Sequence, residues 1–172
     1  MAERADSTRI RLAELPTNRP TLFDLAPEAG EMGDLADALE LLALRKLRFS
    51  GQLTPRGRAD WLLEAELGAT VVQPCVATLD PVTTRIDEPV RRLFLEHYSE
   101  PEEGEAEMPE DDEAEPLPAV LNHAEVMHEA LALALPPFPR AEGVDLGEQV
   151  FTEPGVEPLR DKDVKPFAGL AD

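Results

Sequence analysis

One cysteine and three histidines are the only thiol and imidazole groups in the chain. Any thiol or soft-metal chemistry must therefore pass through Cys75, His97, His123 and His128. Structural zinc takes four thiolate or imidazole ligands, often as two cysteines flanking a tight turn. Cys75 opens such a turn, Pro74-Cys75-Val76-Ala77-Thr78-Leu79-Asp80-Pro81-Val82, but three positions on stands Thr78, a poor ligand. His123 and His128 are five residues apart, which puts them on different faces of a helix, and His97 adjoins an acidic run. The pattern reads as two helix-surface histidines and one loop histidine, with no metal site.

A nucleophilic cysteine needs a base, a group that orients the base, and surroundings that favour the thiolate. No cation follows Cys75 before Arg85, and the strand phase shared with Val71 turns Cys75 toward a buried face. A small buried apolar side chain is the expectation. The chain has no Gly-x-Ser-x-Gly elbow, no phosphate-cradling glycine loop and no His-Glu-x-x-His pair. Paired catalytic carboxylates cannot be singled out of 36 acids. No cofactor and no small-molecule substrate are expected.

Charge says more than chemistry does. The net charge is −20 over 172 residues, and half of it lies in residues 100–115, with ten acids and no base. Glu105, Glu107, Glu110, Asp111, Asp112 and Glu113 form the densest part of that run. Residues 1–96 carry 12 basic and 16 acidic side chains, so the remainder is only mildly acidic. Non-specific nucleic-acid binding works by Lys and Arg releasing phosphate counterions, so a chain this acidic is repelled at long range. The exception is the local cluster Arg45, Lys46, Arg48, Arg56 and Arg58, a candidate surface for RNA or a partner. The acidic run would attract basic proteins and speed their association, or serve only as a solvated linker. A single cysteine excludes an intrachain disulfide and suits a reducing cytoplasm. No stretch reaches 18 apolar residues and the start lacks an apolar leader, so a soluble chain without a membrane role is expected.

Several elements are legible. Arg9-Ile10-Arg11-Leu12 alternates as a short edge strand. Leu35, Leu39 and Leu42 recur at helical spacing from about Glu31 to Ala43, with Arg45-Lys46 just beyond the end. The period then changes to two. Leu47, Phe49 and Leu53 mark a strand, Thr54-Pro55-Arg56-Gly57-Arg58 a turn, and Trp61, Leu63, Ala65 and Leu67 the return. Gly68 reads as a break before a strand from Val71 to Cys75, and Leu79-Asp80-Pro81 bends into a last strand through Leu95. Residues 97–117 lack apolar periodicity and read as a disordered insert. Asn122 to Glu125 has a capping-box pattern ahead of a helix through Leu135, which Pro136-Pro137-Phe138-Pro139 ends. The tail from Arg140 looks extended and closes on an apolar peg around Phe167.

These pieces predict an α+β domain: an antiparallel meander or partly closed barrel of about four to six strands packed with two helices. Residues 1–96 supply the β-rich part and one helix, 97–117 the acidic insert, and 118–172 a helix and tail that complete the same domain.

The bend from Cys75 to Val82 resembles the Cys-x-x-Cys-Leu-x-Pro-Phe/Val turn of the YceD family, the large ribosomal RNA subunit accumulation proteins of bacteria and plastids. Three further motifs match in order: Arg48-Phe49-Ser50-Gly51, the helix end Leu131-Ala132-Leu133-Ala134-Leu135-Pro136, and Pro166-Phe167-Ala168-x-Leu170. That family also places an acidic, variable stretch between the β-rich part and the helix, so the resemblance spans nearly the whole chain. It implies a role in ribosome biogenesis through large-subunit rRNA accumulation, without known catalytic activity. The implied partners are a ribosomal protein, a pre-ribosomal particle of the large subunit, or RNA. The genes commonly adjoin one for a small basic ribosomal protein. Paired cysteines underlie the metal or nucleic-acid binding ascribed to many members. Here Cys75 holds the first position, Thr78 the second, and Pro81 closes the turn, so a zinc role does not carry over. The competing expectations are a thiol- or metal-dependent enzyme centred on Cys75, and an acidic binding module with no ribosomal connection.

Overall fold

The computed structural model describes residues 3–5, 8–98 and 114–144. The chain divides into two compact units, Met1–Ala141 and Glu142–Asp172, and every element below belongs to the first. In chain order they are β1 (Glu3–Ala5), β2 (Arg9–Arg11), β3 (Thr21–Leu25), α1 (Ala29–Ala38), β4 (Ala43–Arg56), β5 (Asp60–Pro74), β6 (Pro81–Leu95), β7 (Ala114–Pro116), β8 (Val120–Asn122) and α2 (His123–Ala134). A six-stranded sheet runs β1-β3-β4-β5-β6-β7, and β2 pairs with β8 in a separate two-stranded sheet. The contacts from β3 through β6 are antiparallel, whereas β1 and β7 lie parallel to their neighbours at the two edges. The fold is α+β, and the sheet is open rather than closed into a barrel.

Alternation along the long strands separates two faces. Register places Phe49 opposite Leu67, Leu53 opposite Leu63 and Trp61 opposite Phe94, all on the inner face. These side chains form one core with Leu35 and Ala36 of α1 and with Val126, Met127, Ala130 and Leu131 of α2. Full burial of each large apolar side chain stabilises the fold by about 1.5–3 kcal/mol, so this layer dominates the packing. The outer face carries Arg48, Gln52, Glu64, Glu66, Asp87 and Arg91. Leu62 is an exception there, covered although its phase is outward.

Four expectations need correction. Gly68 does not interrupt a strand. The β5 ladder passes through it, pairing it with Arg48 on one side and Asp87 on the other. A Cβ at Gly68 would lie 2.7 Å from Arg85 Nη2, so the bare backbone makes room for a neighbouring side chain. Three long strands therefore replace the four shorter ones predicted for this stretch.

The first helix begins earlier and ends earlier than its leucine spacing predicts. Glu40 adopts φ 54°, the Glu40 N–H donates to Asp37 C=O at 3.2 Å, and the Leu41 N–H donates to Ala36 C=O at 2.9 Å. This is a Schellman ending, with its left-handed residue at Glu40. It turns Leu41 into the core and leaves Leu42 outside. Arg45 and Lys46 consequently do not cap the helix. They lie in β4 at a register shift between Arg45 and Arg48, a bulge at which Lys46 has φ 52°.

The C-terminal end of the stretch predicted to be a disordered insert is a strand. Residues 99–113 lie outside the described residues, but Ala114–Pro116 form β7. The Leu117 N–H donates to Leu95 C=O at 2.9 Å.

The capping pattern before α2 is half present, since Asn122 Oδ1 accepts from the Ala124 N–H at 3.2 Å. The reciprocal bond from a glutamate occurs instead at α1, where Glu31 Oε2 accepts from the Glu28 N–H at 3.0 Å.

Candidate functional site

The Cys75 turn joins β5 to β6 and is closed twice by backbone. The Cys75 N–H donates to Asp80 C=O at 2.8 Å, and the Leu79 N–H donates to Cys75 C=O at 2.9 Å. Leu79 reaches this geometry at φ 65° with its side chain 75% exposed. A third bond, the Val76 N–H to Pro139 C=O at 2.9 Å, ties the turn to the segment after α2.

The sulfur of Cys75 is fully buried. The Ala141 N–H donates to Sγ at 3.4 Å. The Thr78 hydroxyl, followed by the Ala141 and Ala77 N–H groups, holds the thiol down at about 7, against the upward push of burial. Thr78 thus occupies the second-ligand position as a donor to sulfur. The turn surrounds one sulfur with donors and offers it no second thiolate. None of the groups that lower this thiol is a histidine or a cation.

The histidines are dispersed. His97 is exposed beside Glu96, 3.8 Å away, and His128 is exposed on α2. His123 overturns the surface reading. It is fully buried, its ring 4.3 Å from that of Phe23 between centroids, and its backbone N–H donates to Thr8 C=O at 3.0 Å. Among the described residues neither ring nitrogen has a hydrogen-bond partner. Burial pushes the imidazole down to about 4, further than the nearby Thr8 carbonyl draws it up. The signal for this was present in the sequence. Leu121 and His123 share the inward phase of β8, and that phase continues into the first residue of α2. Among the described residues no group of three His, Cys, Asp or Glu side chains is placed to hold a metal ion.

The five basic residues adjacent in sequence are not one patch in space. Arg45 and Lys46 stand at the bulge and Arg56 and Arg58 at the hairpin. At about 3.3 Å per strand residue the two pairs are about 30 Å apart. Arg48 lies between them on the outer face, where its Nε and Nη2 donate to the two oxygens of Asp24 at 2.8 Å. The carboxylate raises the guanidinium's already high pKa and cancels its charge locally. Arg85 and Asp87 pair in the same way across two positions of β6, which lowers the Asp87 pKa.

Of the acidic run, Glu105, Glu107, Glu110, Asp111, Asp112 and Glu113 lie outside the described residues. Its last acid, Glu115 in β7, accepts from Arg92, which also reaches Glu129 of α2 at 3.4 Å. Pro81 opens β6 directly after the turn.

A surface feature that sequence reasoning missed lies between the helices. A cleft of about 470 Å³ is lined by Leu25, Leu35 and Met127, with Glu31, Asp34 and His128 along it. The lining residues come from β3, α1 and α2, so only the tertiary fold brings them together.

No helix among the described residues is long and apolar enough to cross a membrane. No curated protein and no solved structure matches the chain. A family model matches residues 63–172, which take in all but the first three residues of β5, the Cys75 turn, β6, β7, β8 and α2. The Arg48-Phe49-Ser50-Gly51 motif and α1 precede the matched residues. With well over half of its length matched, this chain belongs to the family described as large ribosomal RNA subunit accumulation protein YceD.

Proposed function

We propose that this protein is a non-enzymatic, cytoplasmic factor in ribosome biogenesis. In this reading it supports accumulation of large-subunit rRNA by holding a basic protein of that subunit, free or within a pre-ribosomal particle. Family membership over residues 63–172 carries the reading. The charge supports a basic partner. The chain is at −20, and ten acids stand in residues 100–115. Such a field steers cationic partners and slows approach to phosphate backbones. RNA contact falls to the separated pairs Arg45–Lys46 and Arg56–Arg58, and is secondary.

The test is depletion of the protein in its own cell, with rRNA and subunits profiled on a gradient. A deficit of large-subunit rRNA with small-subunit rRNA spared is expected, and a normal profile overturns the reading. Replacing the ten acids by Ser or Asn should weaken capture of basic ribosomal proteins. Unchanged capture at low salt would remove the acidic run from the mechanism.

A thiol enzyme is the second reading, favoured by the Cys75 thiol held at about 7. Against it, the sulfur is fully buried, beyond reach of a substrate without local opening. Cys75→Ser is expected to restore rRNA accumulation in depleted cells. Loss of rescue by a folded Cys75→Ser protein would favour the enzyme.

A further inference from the structure

We propose that the cleft between α1 and α2 is the docking site for a short basic segment of a partner protein, one that presents an apolar side chain next to its lysines or arginines. The inference rests on the reading that this chain holds a basic protein, and adds where the segment seats and what it must contain.

Three observations carry it. First, the floor is apolar and anchored. Leu35 and Met127 are core residues, and Leu25 packs against the same core. Leu35 and Met127 are themselves almost closed to water, so the apolar surface that an incoming side chain dehydrates is that of half-buried Leu25 and exposed Ala26 and Ala38, with no opening of the fold. Second, the walls are acidic. Glu31 and Asp34 line the cleft, and among the described residues no Lys or Arg lines it. The Asp34 side chain is exposed and makes no hydrogen bond or ion pair among the described residues, whereas Asp87 on the outer sheet face is held by an arginine. Third, the charge continues along both helices. From Glu28 to Glu40 the only charged side chains are Glu28, Glu31, Asp34, Asp37 and Glu40. Within α2 they are Glu125 and Glu129, apart from His123 and His128. A cation entering the cleft meets carboxylates from one helix and no like charge from either. A phosphate backbone meets the same wall as repulsion, which favours a protein segment over RNA. The apolar floor separates this site from simple electrostatic steering. A segment of lysines alone satisfies the walls and leaves the floor wet.

The experiment uses the full-length protein and a fluorescent peptide of alternating Lys and Leu, with Lys–Ser and Glu–Leu peptides as controls, read by anisotropy at low salt. The Lys–Leu peptide should bind at least tenfold tighter than Lys–Ser, and the Glu–Leu peptide should not bind. Glu31→Gln with Asp34→Asn should weaken Lys–Leu binding about tenfold. Ala38→Phe, at an exposed helix position lining the cleft, should do the same by filling it. Glu64→Gln with Glu66→Gln on the outer sheet face should change nothing. The Met127 methyl resonance should shift on binding.

Equal binding of the Lys–Leu and Lys–Ser peptides overturns the site. So does indifference to the charge pair, indifference to Ala38→Phe in a folded variant, dependence on Glu64 and Glu66, or binding of a single-stranded RNA at the same methyl. Failure here leaves the ribosomal reading standing if depletion still lowers large-subunit rRNA. A normal depletion profile with peptide bound in the cleft removes the ribosomal reading and leaves the site.

Discussion

The two sides of the central sheet solve the problem of charge differently. On the outer face, opposite charges are interleaved and engaged. Arg48 is doubly bonded to Asp24, Arg85 to Asp87, and Gln52 Nε2 donates to Glu64 at 3.3 Å. The side covered by α1 and α2 carries acids along both helices without a Lys or Arg inside either, and of these acids Glu129 is engaged, by Arg92 of β6. A face of paired charges offers little net field to a partner and gains little stability from each exposed pair. A helix layer that is mostly acidic repels itself slightly and projects a field outward, which is of use only if something cationic arrives. The outer side thus uses its charges within the sheet, and the docking site proposed above lies on the other side. Two glycines, a histidine and a helix end make that division measurable.

The largest effect should come from Gly51. It lies in β4 with the inner-face phase, and a Cβ there would sit 2.2 Å from the Glu64 carbonyl oxygen and 2.7 Å from the Ala65 Cβ. Those atoms are held in the centre of the ladder and cannot yield without moving β5. Gly51→Ala is expected to cost about 3 kcal/mol, as overpacking of a tight site does. Gly68, on the outer face, would place its Cβ against the mobile end of Arg85, which can swing away. Gly68→Ala should change stability by less than about 0.5 kcal/mol. Urea unfolding followed by Trp61 emission separates the two. Similar costs would mean that the outer face is packed as rigidly as the inner one.

His123 gives the next largest effect, and it is conditional on pH. Its folded-state value of about 4 lies below the ordinary 6.5, so the unfolded chain takes up a proton more readily than the folded one. The fold is at full strength above about pH 6.5 and weakens as pH falls toward 4. From neutral pH to pH 5 the loss should be about 2 kcal/mol, within a range where most carboxylates stay ionised. His123→Leu keeps an apolar contact with Phe23, removes two unsatisfied ring nitrogens, and should flatten the pH dependence at no cost at neutral pH. A wild-type profile that is level from pH 7 to 5 would show that the ring finds a partner in solution.

How much of this was legible in the sequence differs by element. The strands were visible because their inner face repeats every second residue, and the sheet needed only that face to be buried. Gly68 was misread because a glycine looks the same whether it stops a strand or clears space for a side chain on the next one. Arg85, which decides the matter, is 17 positions away. The edge strands β1 and β7 are three residues each and parallel to their neighbours, too short to show a period. Cys75 was read correctly as buried, since its phase followed Val71. Its depressed pKa was not, because the Thr78 hydroxyl acts on the sulfur only once the turn is folded, and the next donor, Ala141, is distant in sequence. The basic cluster misled because adjacency in sequence becomes about 30 Å along an extended strand. The cleft had no sequence signal, since its floor joins Leu25 of β3, Leu35 of α1 and Met127 of α2, which are far apart in the chain.

The smallest effect tests the end of α1, on the acidic side. Glu40 holds the left-handed position of a Schellman ending at φ 54°, a place usually filled by glycine because a Cβ crowds the following carbonyl. The strain is about 1 kcal/mol for a residue that is not glycine. Its carboxylate also stands at the C-terminal end of the helix, where the macrodipole is already negative and disfavours an anion. Glu40→Gly removes both penalties and adds some unfolded-state freedom, so the net gain should be somewhat under about 1 kcal/mol, read as a raised unfolding midpoint. Glu40→Gln removes the charge and keeps the strain, so the two substitutions apportion the cost. If Gln gives the whole gain, acidity along α1 is what the fold sacrifices to keep a negative surface. If Gly alone gives it, the backbone ending is the weakness, and the acidic helix is maintained at little expense.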